Sequence, residues 1–251
     1  MGYSERLLEK GNSLTRTAHR SRYKTVLDLI QGHPTAIPYT LALDYGCGDA
    51  WLLRIALEQN LIRTGIGVDV DPQMVATCNA QFANQTDLQV CHPDDLPSRI
   101  APHSCDLLLC TETLEHVHSV PAILADLLHY AQPQARLVIS VPIEIGPSLL
   151  VKQMGRFLAN WKGDYGYESY TPDELFAAGM LWDTDRFPSS HSSDATYKGH
   201  KGFDYRKVER LLRQTLQVEQ QIFTPFPIAG NLFNSTVVWL CRPPAAMAMS
   251  I

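Results

Sequence analysis

A few residues stand out by type and spacing as able to do chemistry. Asp44, Gly46, Cys47 and Gly48 form the run Asp-Tyr-Gly-Cys-Gly at the end of an apolar stretch. Asp69 lies 23 residues beyond Gly46, with Val70 beside it. His92, Asp94 and Asp95 follow in Cys-His-Pro-Asp-Asp-Leu-Pro, and Thr111, Glu112, Glu115, His116 and His118 in Cys-Thr-Glu-Thr-Leu-Glu-His-Val-His. A strand that breaks at glycines and feeds a helix brings bare backbone up to a ligand at a helix N-terminus. A carboxylate at the end of the next strand can accept hydrogen bonds from the two hydroxyls of a ribose. An imidazole, titrating near pH ~6.5 when unperturbed, accepts a proton readily at neutral pH.

The glycine turn narrows the ligand. A dinucleotide fingerprint needs a third glycine for close helix–strand packing, and that position is Trp51. A P-loop needs Lys followed by Ser or Thr, and neither is there. An acid, Gly-x-Gly and a helix remain. This arrangement resembles the first motif of class I S-adenosylmethionine-dependent methyltransferases, and Glu112-Thr113-Leu114-Glu115-His116-Val117 resembles a segment of the members that act on small molecules. The resemblance implies that the glycine turn packs against the methionine half of S-adenosylmethionine and that Asp44 helps to place its ammonium. It implies ribose binding for Asp69; capping of the next helix is the bland alternative, a role Asp71 fits better. In that family an Asp before the Glu-Asp-Leu-Pro segment meets the adenine amino group. Here His92 replaces it, and its acceptor nitrogen can take the adenine N–H, with Asp94 or Asp95 as substitutes and a plain polar loop as the alternative. Thr111 and Glu112 would lie beside the methionine portion. Glu115, His116 and His118 would follow on a short helix, His116 as general base or else as a packed histidine.

These residues need a scaffold, and the chain supplies strand and helix signals in alternation. Strands are expected at Leu41–Tyr45, Gly65–Val70, Leu88–Cys91, Asp106–Thr111 and Arg136–Val141. Helices are expected at Ala50–Gln59, from Pro72 to about Asn84, and at Pro121–Tyr130. Asp106–Thr111 is nearly all apolar, as a central strand covered on both faces must be. Such alternation implies an α/β fold with a parallel sheet. The resemblance makes it a Rossmann-like, doubly wound, seven-stranded sheet with an antiparallel final strand, expected at Ser235–Cys241 after a strand at Gln217–Phe223 and a helix at Tyr205–Leu216. The Pro133-Gln134-Ala135 turn lacks the family's glycines.

Two regions fall outside this alternation. Residues 1–40 read as an N-terminal helical cap, with Leu14, Ala18, Tyr23, Val26, Leu27 and Ile30 on an imperfect apolar face. Residues 143–202, within the methyltransferase domain 41–251, form an aromatic-rich insertion holding one helix at Leu149–Trp161. A structureless segment of that length is unusual unless it has a function. Cap and insertion together would cover the site. Arg16, His19, Arg20, Arg22 and Lys24 on the first helix, with Lys198, His200 and Lys201 near the insertion's end, form either a solvated face or a clamp for an anionic acceptor. Tyr165, Tyr167, Tyr170, Trp161 and Trp182 form either an acceptor wall or the packing of a lid.

Composition excludes several classes. With 45% hydrophobic and 19% charged residues, the chain is an ordinary globular protein. A net charge of -5 argues against nucleic acid as partner. Six cysteines without a C-x-x-C pair read as buried free thiols of a cytoplasmic protein. No signal peptide or membrane span is expected. Nothing in methyl transfer asks for a metal, and no ligand spacing suggests one. The expected activity is methylation of oxygen or nitrogen on a small-molecule acceptor. A silent partner subunit and a NAD-dependent oxidoreductase remain as other readings.

Overall fold

The apolar runs do become strands, and their order places the chemistry. The computed structural model describes Ser4 and residues 13–32, 37–162, 170–186 and 200–245. The first half runs α1 (Ser13–Gln31), β1 (Tyr39–Tyr45), α2 (Trp51–Glu58), β2 (Ile62–Val68), α3 (Pro72–Gln81), β3 (Leu88–Cys91), a 3₁₀ turn (Pro93–Asp95) and α4 (Leu96–Arg99). Then come β4 (Cys105–Thr111), α5 (Val120–Tyr130), β5 (Ala131–Pro142), α6 (Gly146–Lys162) and α7 (Pro172–Gly179). The chain finishes with α8 (Tyr205–Thr215), β6 (Gln217–Thr224), a second 3₁₀ turn (Pro227–Ala229) and β7 (Thr236–Arg242).

The seven strands lie in the order β3-β2-β1-β4-β5-β7-β6. β1 to β5 are parallel, and β7 runs antiparallel to both β5 and β6. This is the Rossmann-like sheet with an antiparallel last strand that the family resemblance implied. Because side chains alternate across a strand, each strand feeds two cores. Leu43, Leu108, Ile139 and Trp239 face one layer, with Leu124 and Leu127 of α5 and Val208 and Leu212 of α8. Ala42, Leu107, Leu109, Val138 and Val238 face the other, with Val26 and Ile30 of α1 and Leu52 and Leu53 of α2. Burial of each large apolar side chain stabilises the fold by roughly 1.5–3 kcal/mol.

Strand order reverses between β1 and β4, so the turns that follow them diverge and leave a crevice at the carboxyl edge. The helix of the expected cap packs on the sheet, against β5, β6 and β7. Tyr23, Val26, Leu29 and Ile30 supply its buried face; the Leu14 side chain lies outside the described residues.

Four expectations change. β2 ends at Val68, so Asp69 and Val70 already belong to the turn. β5 starts at Ala131 and runs through Pro133-Gln134-Ala135, where an irregularity in its pairing with β4 absorbs the expected turn. Residues 113–118 form a turn rather than a short helix: Glu112 adopts φ 53°, and a single bond from the His116 N–H to the Thr113 carbonyl closes the loop. The insertion holds a second helix, α7, in addition to α6. Its start was readable: Thr171-Pro172-Asp173-Glu174 forms a capping box with proline at the first helical position.

All six cysteines are free, five of them buried. Among the described residues no helix is long and apolar enough to cross a membrane.

Candidate active site

The crevice is floored by the β1 turn. Gly46 has φ +82°, and a Cβ there would stand 2.3 Å from the Thr113 hydroxyl oxygen. Only glycine lets the turns after β1 and β4 meet. Gly48 has φ +53° and nothing within 4 Å of its would-be Cβ, so its backbone faces open space. Cys47 turns inward; a Cβ on Gly67 would lie 2.6 Å from its sulfur. Burial, then Asp44 and Asp69, push this thiol far up, so it is a packing residue. Trp51, where a dinucleotide fold has glycine, fills the space by packing its ring 4.4 Å from that of Tyr23 on α1.

Two carboxylates flank the turn. Asp44 is the next-to-last residue of β1, at 2% exposure. Burial, and then the charge of Asp69, raise its pKa from 3.8 to about 7. Its Oδ1 has no hydrogen-bond partner among the described residues, an arrangement that suits an incoming cation. Asp69 Oδ2 accepts the Gly48 N–H at 2.9 Å and Oδ1 accepts the Asp71 N–H at 2.9 Å. Asp69 therefore braces the turn. Asp71 caps α3 through the Gln73 N–H.

Val70, 72% exposed, stands at the rim beside Asp69. His92 follows β3 at the same edge. Its Nδ1 lies 3.4 Å from the Asp94 backbone nitrogen and 3.3 Å from Asp94 Oδ2, which leaves Nε2 as the ring's outward nitrogen. Asp94 is exposed, and the Asp95 carbonyl accepts the Ser98 hydroxyl.

The opposite wall is built from distant parts of the chain. Thr111 ends β4, and Glu112 follows in the left-handed region. Glu112 Oε1 accepts the Ser140 hydroxyl at 3.1 Å, and Oε2 pairs with Arg22 of α1 at 3.1 Å. Burial opposes the Arg22 charge, but Glu112, Tyr23 and Glu115 together outweigh it and raise the pKa. Glu115 is fully buried, and neither of its oxygens has a hydrogen-bond partner among the described residues. Burial and the nearby Glu112 push its carboxyl well above the usual range. His116 Nε2 lies 3.9 Å from Glu115 Oε1 and 3.3 Å from His200 Nε2. Burial, then His200, lower the His116 pKa and keep its ring neutral. His118 is exposed. His200 Nδ1 is 3.6 Å from Glu144, which Lys152 and Arg156 also hold at 3.0 Å. Burial opposes the Glu144 charge, but Lys152, His200 and Arg156 outweigh it and hold the pKa well below the usual range.

The basic clusters separate. Arg22 is buried on Glu112, while Lys24 pairs with Asp28 on an exposed face. His19 is not basic at neutral pH, because burial and then Arg22 lower its pKa to about 4. Lys201 pairs with Glu174 at 2.7 Å and lies over the Tyr170 ring. Trp182 packs against Gly146, and Arg206 sits over its ring, so it fastens α6 to α8. Tyr165, Tyr167, Lys198 and the Trp161 side chain lie outside the described residues. Reasoning from local motifs missed Arg22 as a buried partner and passed over Glu144, Lys152 and Arg156. Their only signal was a charged residue, Glu144, set in an apolar stretch immediately after β5.

The sequence matches the methyltransferase-domain family over residues 40–174. No curated protein sequence matches it. Among solved structures it is similar to an S-adenosylmethionine-dependent methyltransferase from Aquifex aeolicus, at 12% identity and TM-score 0.54, covering 88% of this chain and 89% of that one. It is also similar to the N-methyltransferase NodS of Bradyrhizobium japonicum in complex with S-adenosylhomocysteine, at 13% identity and TM-score 0.55, covering 94% and 90%. A putative sarcosine dimethylglycine methyltransferase from Galdieria sulphuraria gives 11% identity and TM-score 0.55, covering 92% and 88%. The chain belongs to the methyltransferase-domain family and is an S-adenosylmethionine-dependent methyltransferase, with S-adenosylmethionine as its cofactor. The residues present fit that group, since the buried Asp44 oxygen without a partner suits its ammonium and the open Gly48 backbone suits close approach.

Proposed function

We propose that this enzyme methylates oxygen or nitrogen on a small-molecule acceptor held between the β1 turn and the Glu112–His116 loop. The observation that carries this reading is the orphaned Asp44 oxygen, buried at the switch point beside a glycine turn. Asp44, Gly46, Cys47 and Gly48 hold the methionine half of the cofactor, with Thr111 and Glu112 across the crevice. Asp69 accepts from the ribose hydroxyls with the lone pairs its two backbone bonds leave over. Val70 covers the adenine, and His92, Asp94 and Asp95 contact its edge.

When bound, S-adenosylmethionine supplies a sulfonium whose methyl is already electrophilic. The protein holds the acceptor in line and excludes water; such positioning supplies up to about 7–11 kcal/mol. His116 takes the acceptor's proton on Nε2, a contribution of ~10²–10⁴-fold where the acceptor is a hydroxyl. Residues 1–40 and 143–202 supply the acceptor side of the 41–251 domain. The cytoplasm is the site of action, in keeping with six free thiols.

Isothermal titration with S-adenosylhomocysteine tests the donor half, with saturable binding that Asp69→Ala weakens as the expected result. Absence of binding, as from a silent subunit, or an unchanged affinity in the variant, refutes it. A metabolite screen for methyl transfer tests the acceptor half.

A further inference from the structure

We infer that Glu115, His116 and His200 form a binding site for one divalent transition-metal cation on the acceptor wall. The ligand atoms of these three residues lie within 4.8 Å of one another. His116 Nε2 and His200 Nε2 face each other at 3.3 Å. Two imidazole nitrogens at ~2.0–2.1 Å from a tetrahedral cation stand about 3.3 Å apart. The widest separation exceeds the ~4.2 Å that two such bonds can span, so a side chain moves in by several tenths of an ångström on binding. His200, 29% exposed, is the one to move, because the two separations that involve His116, 3.9 and 3.3 Å, already lie within that span and Glu115 is fully buried.

Two further observations point to a cation at this place. Glu115 is buried completely, yet neither oxygen has a hydrogen-bond partner among the described residues. A buried carboxylate without a partner is costly unless it is paired or coordinates a metal. His200 presents its other nitrogen, Nδ1, to Glu144 at 3.6 Å, and Lys152 and Arg156 fix that carboxylate. A proton held on Nδ1 by Glu144 leaves the Nε2 lone pair facing His116. A carboxylate behind a ligating histidine sets its tautomer and raises its basicity in the same way at known metal centres.

Two imidazoles and one carboxylate favour zinc, manganese, iron(II) or cobalt over calcium and magnesium. Three protein ligands leave a position open for an acceptor oxygen. The site's chemical role rests on the methyl-transfer reading above. A hydroxyl drawn to such a cation becomes more acidic. Its proton leaves to bulk water, the oxygen–methyl bond forms as the sulfur–methyl bond breaks, and the donor is left as a neutral thioether. In the loaded enzyme the His116 lone pair is committed to the cation, so the bulk solvent replaces it as the base. The sequence carried no sign of this, because 84 residues separate the two histidines.

The full chain, stripped with chelator and dialysed, should bind one equivalent of Co²⁺ with a visible d–d absorption band, and Zn²⁺ should displace it. His200→Ala, His116→Ala and Glu115→Gln should each weaken Co²⁺ binding by tenfold or more while S-adenosylhomocysteine still binds, which shows that the variants are folded. No saturable 1:1 binding in the parent, or an affinity unchanged in both histidine variants, overturns the inference. Co²⁺ binding that depends on the histidines in a chain that fails to bind S-adenosylhomocysteine supports the metal site and refutes the methyl-transfer reading instead.

Discussion

The two walls of the crevice are built by different means. The donor wall is local backbone: Gly46, Gly48 and Asp69 sit in turns directly after neighbouring parallel strands, and one N–H bond from Gly48 to Asp69 ties them together. The acceptor wall is long-range side chain: Glu112 is held by Arg22, and His116 meets His200. Backbone turns tolerate little change in residue type but need no partner far away. A wall of charged side chains can be rebuilt by substitution, and its stability depends on every partner. Cofactor affinity should therefore map to the first wall, and turnover to the second.

The sharpest way to break this division is His116→Ala. In the enzyme stripped of metal by chelator, where the His116 lone pair is free to act as base, turnover should fall ~10²–10⁴-fold with a hydroxyl acceptor, with S-adenosylhomocysteine affinity nearly unchanged by titration calorimetry. A large loss of cofactor affinity would erase the distinction between the walls. Next in size is Arg22→Ala, which leaves Glu112 without its cation. Breaking a buried pair costs about 3–5 kcal/mol, so thermal unfolding should shift down by several degrees; an unchanged midpoint would mean that Glu112 is solvated.

On the donor side, Asp69→Ala removes hydrogen bonds to a charged acceptor, each worth about 1.5–3 kcal/mol. Cofactor affinity should drop by ten- to a hundredfold with little further change in turnover at saturation. A smaller, pH-dependent effect follows from Asp44. Its pKa is raised from 3.8 to about 7 by burial and then by Asp69. The folded protein holds a proton there that the unfolded chain has lost, so the contribution of Asp44 to stability declines as pH rises from about 4 to about 7. An ammonium ligand needs the ionised form, so affinity should rise as pH passes 7, and Asp44→Asn should flatten that profile. Smallest is Lys201→Ala at the partly exposed pair with Glu174, expected to cost under about 1 kcal/mol; a larger shift on chemical denaturation would give this contact a structural weight equal to that of the acceptor wall.

The donor wall was legible because its residues follow one another in the order of the strands that place them. Asp44, Gly46, Gly48 and Asp69 were all named by position, and the sheet order brings them to one edge. His92 was named by position, but its Nδ1 contacts with Asp94 exist only because the 3₁₀ turn folds Asp94 back onto it. The second helix of the insertion was spelled out by its capping box, yet the aromatic-rich composition around it read as loop. The basic run on α1 misled for a plain reason: helical spacing sends Arg22 and His19 inward and Lys24 outward, and a list of cations does not distinguish them.

From residue order came the alternation, the glycine turn, the cofactor it serves and the acid beyond it, since each depends on neighbours within one strand–turn–helix unit. Tertiary structure alone decided the acceptor wall. Arg22 reaches Glu112, and His116 reaches His200 beside Glu144, only after the parallel strands align and α1 settles on the sheet. Contacts spanning many tens of residues depend on packing that no local pattern encodes.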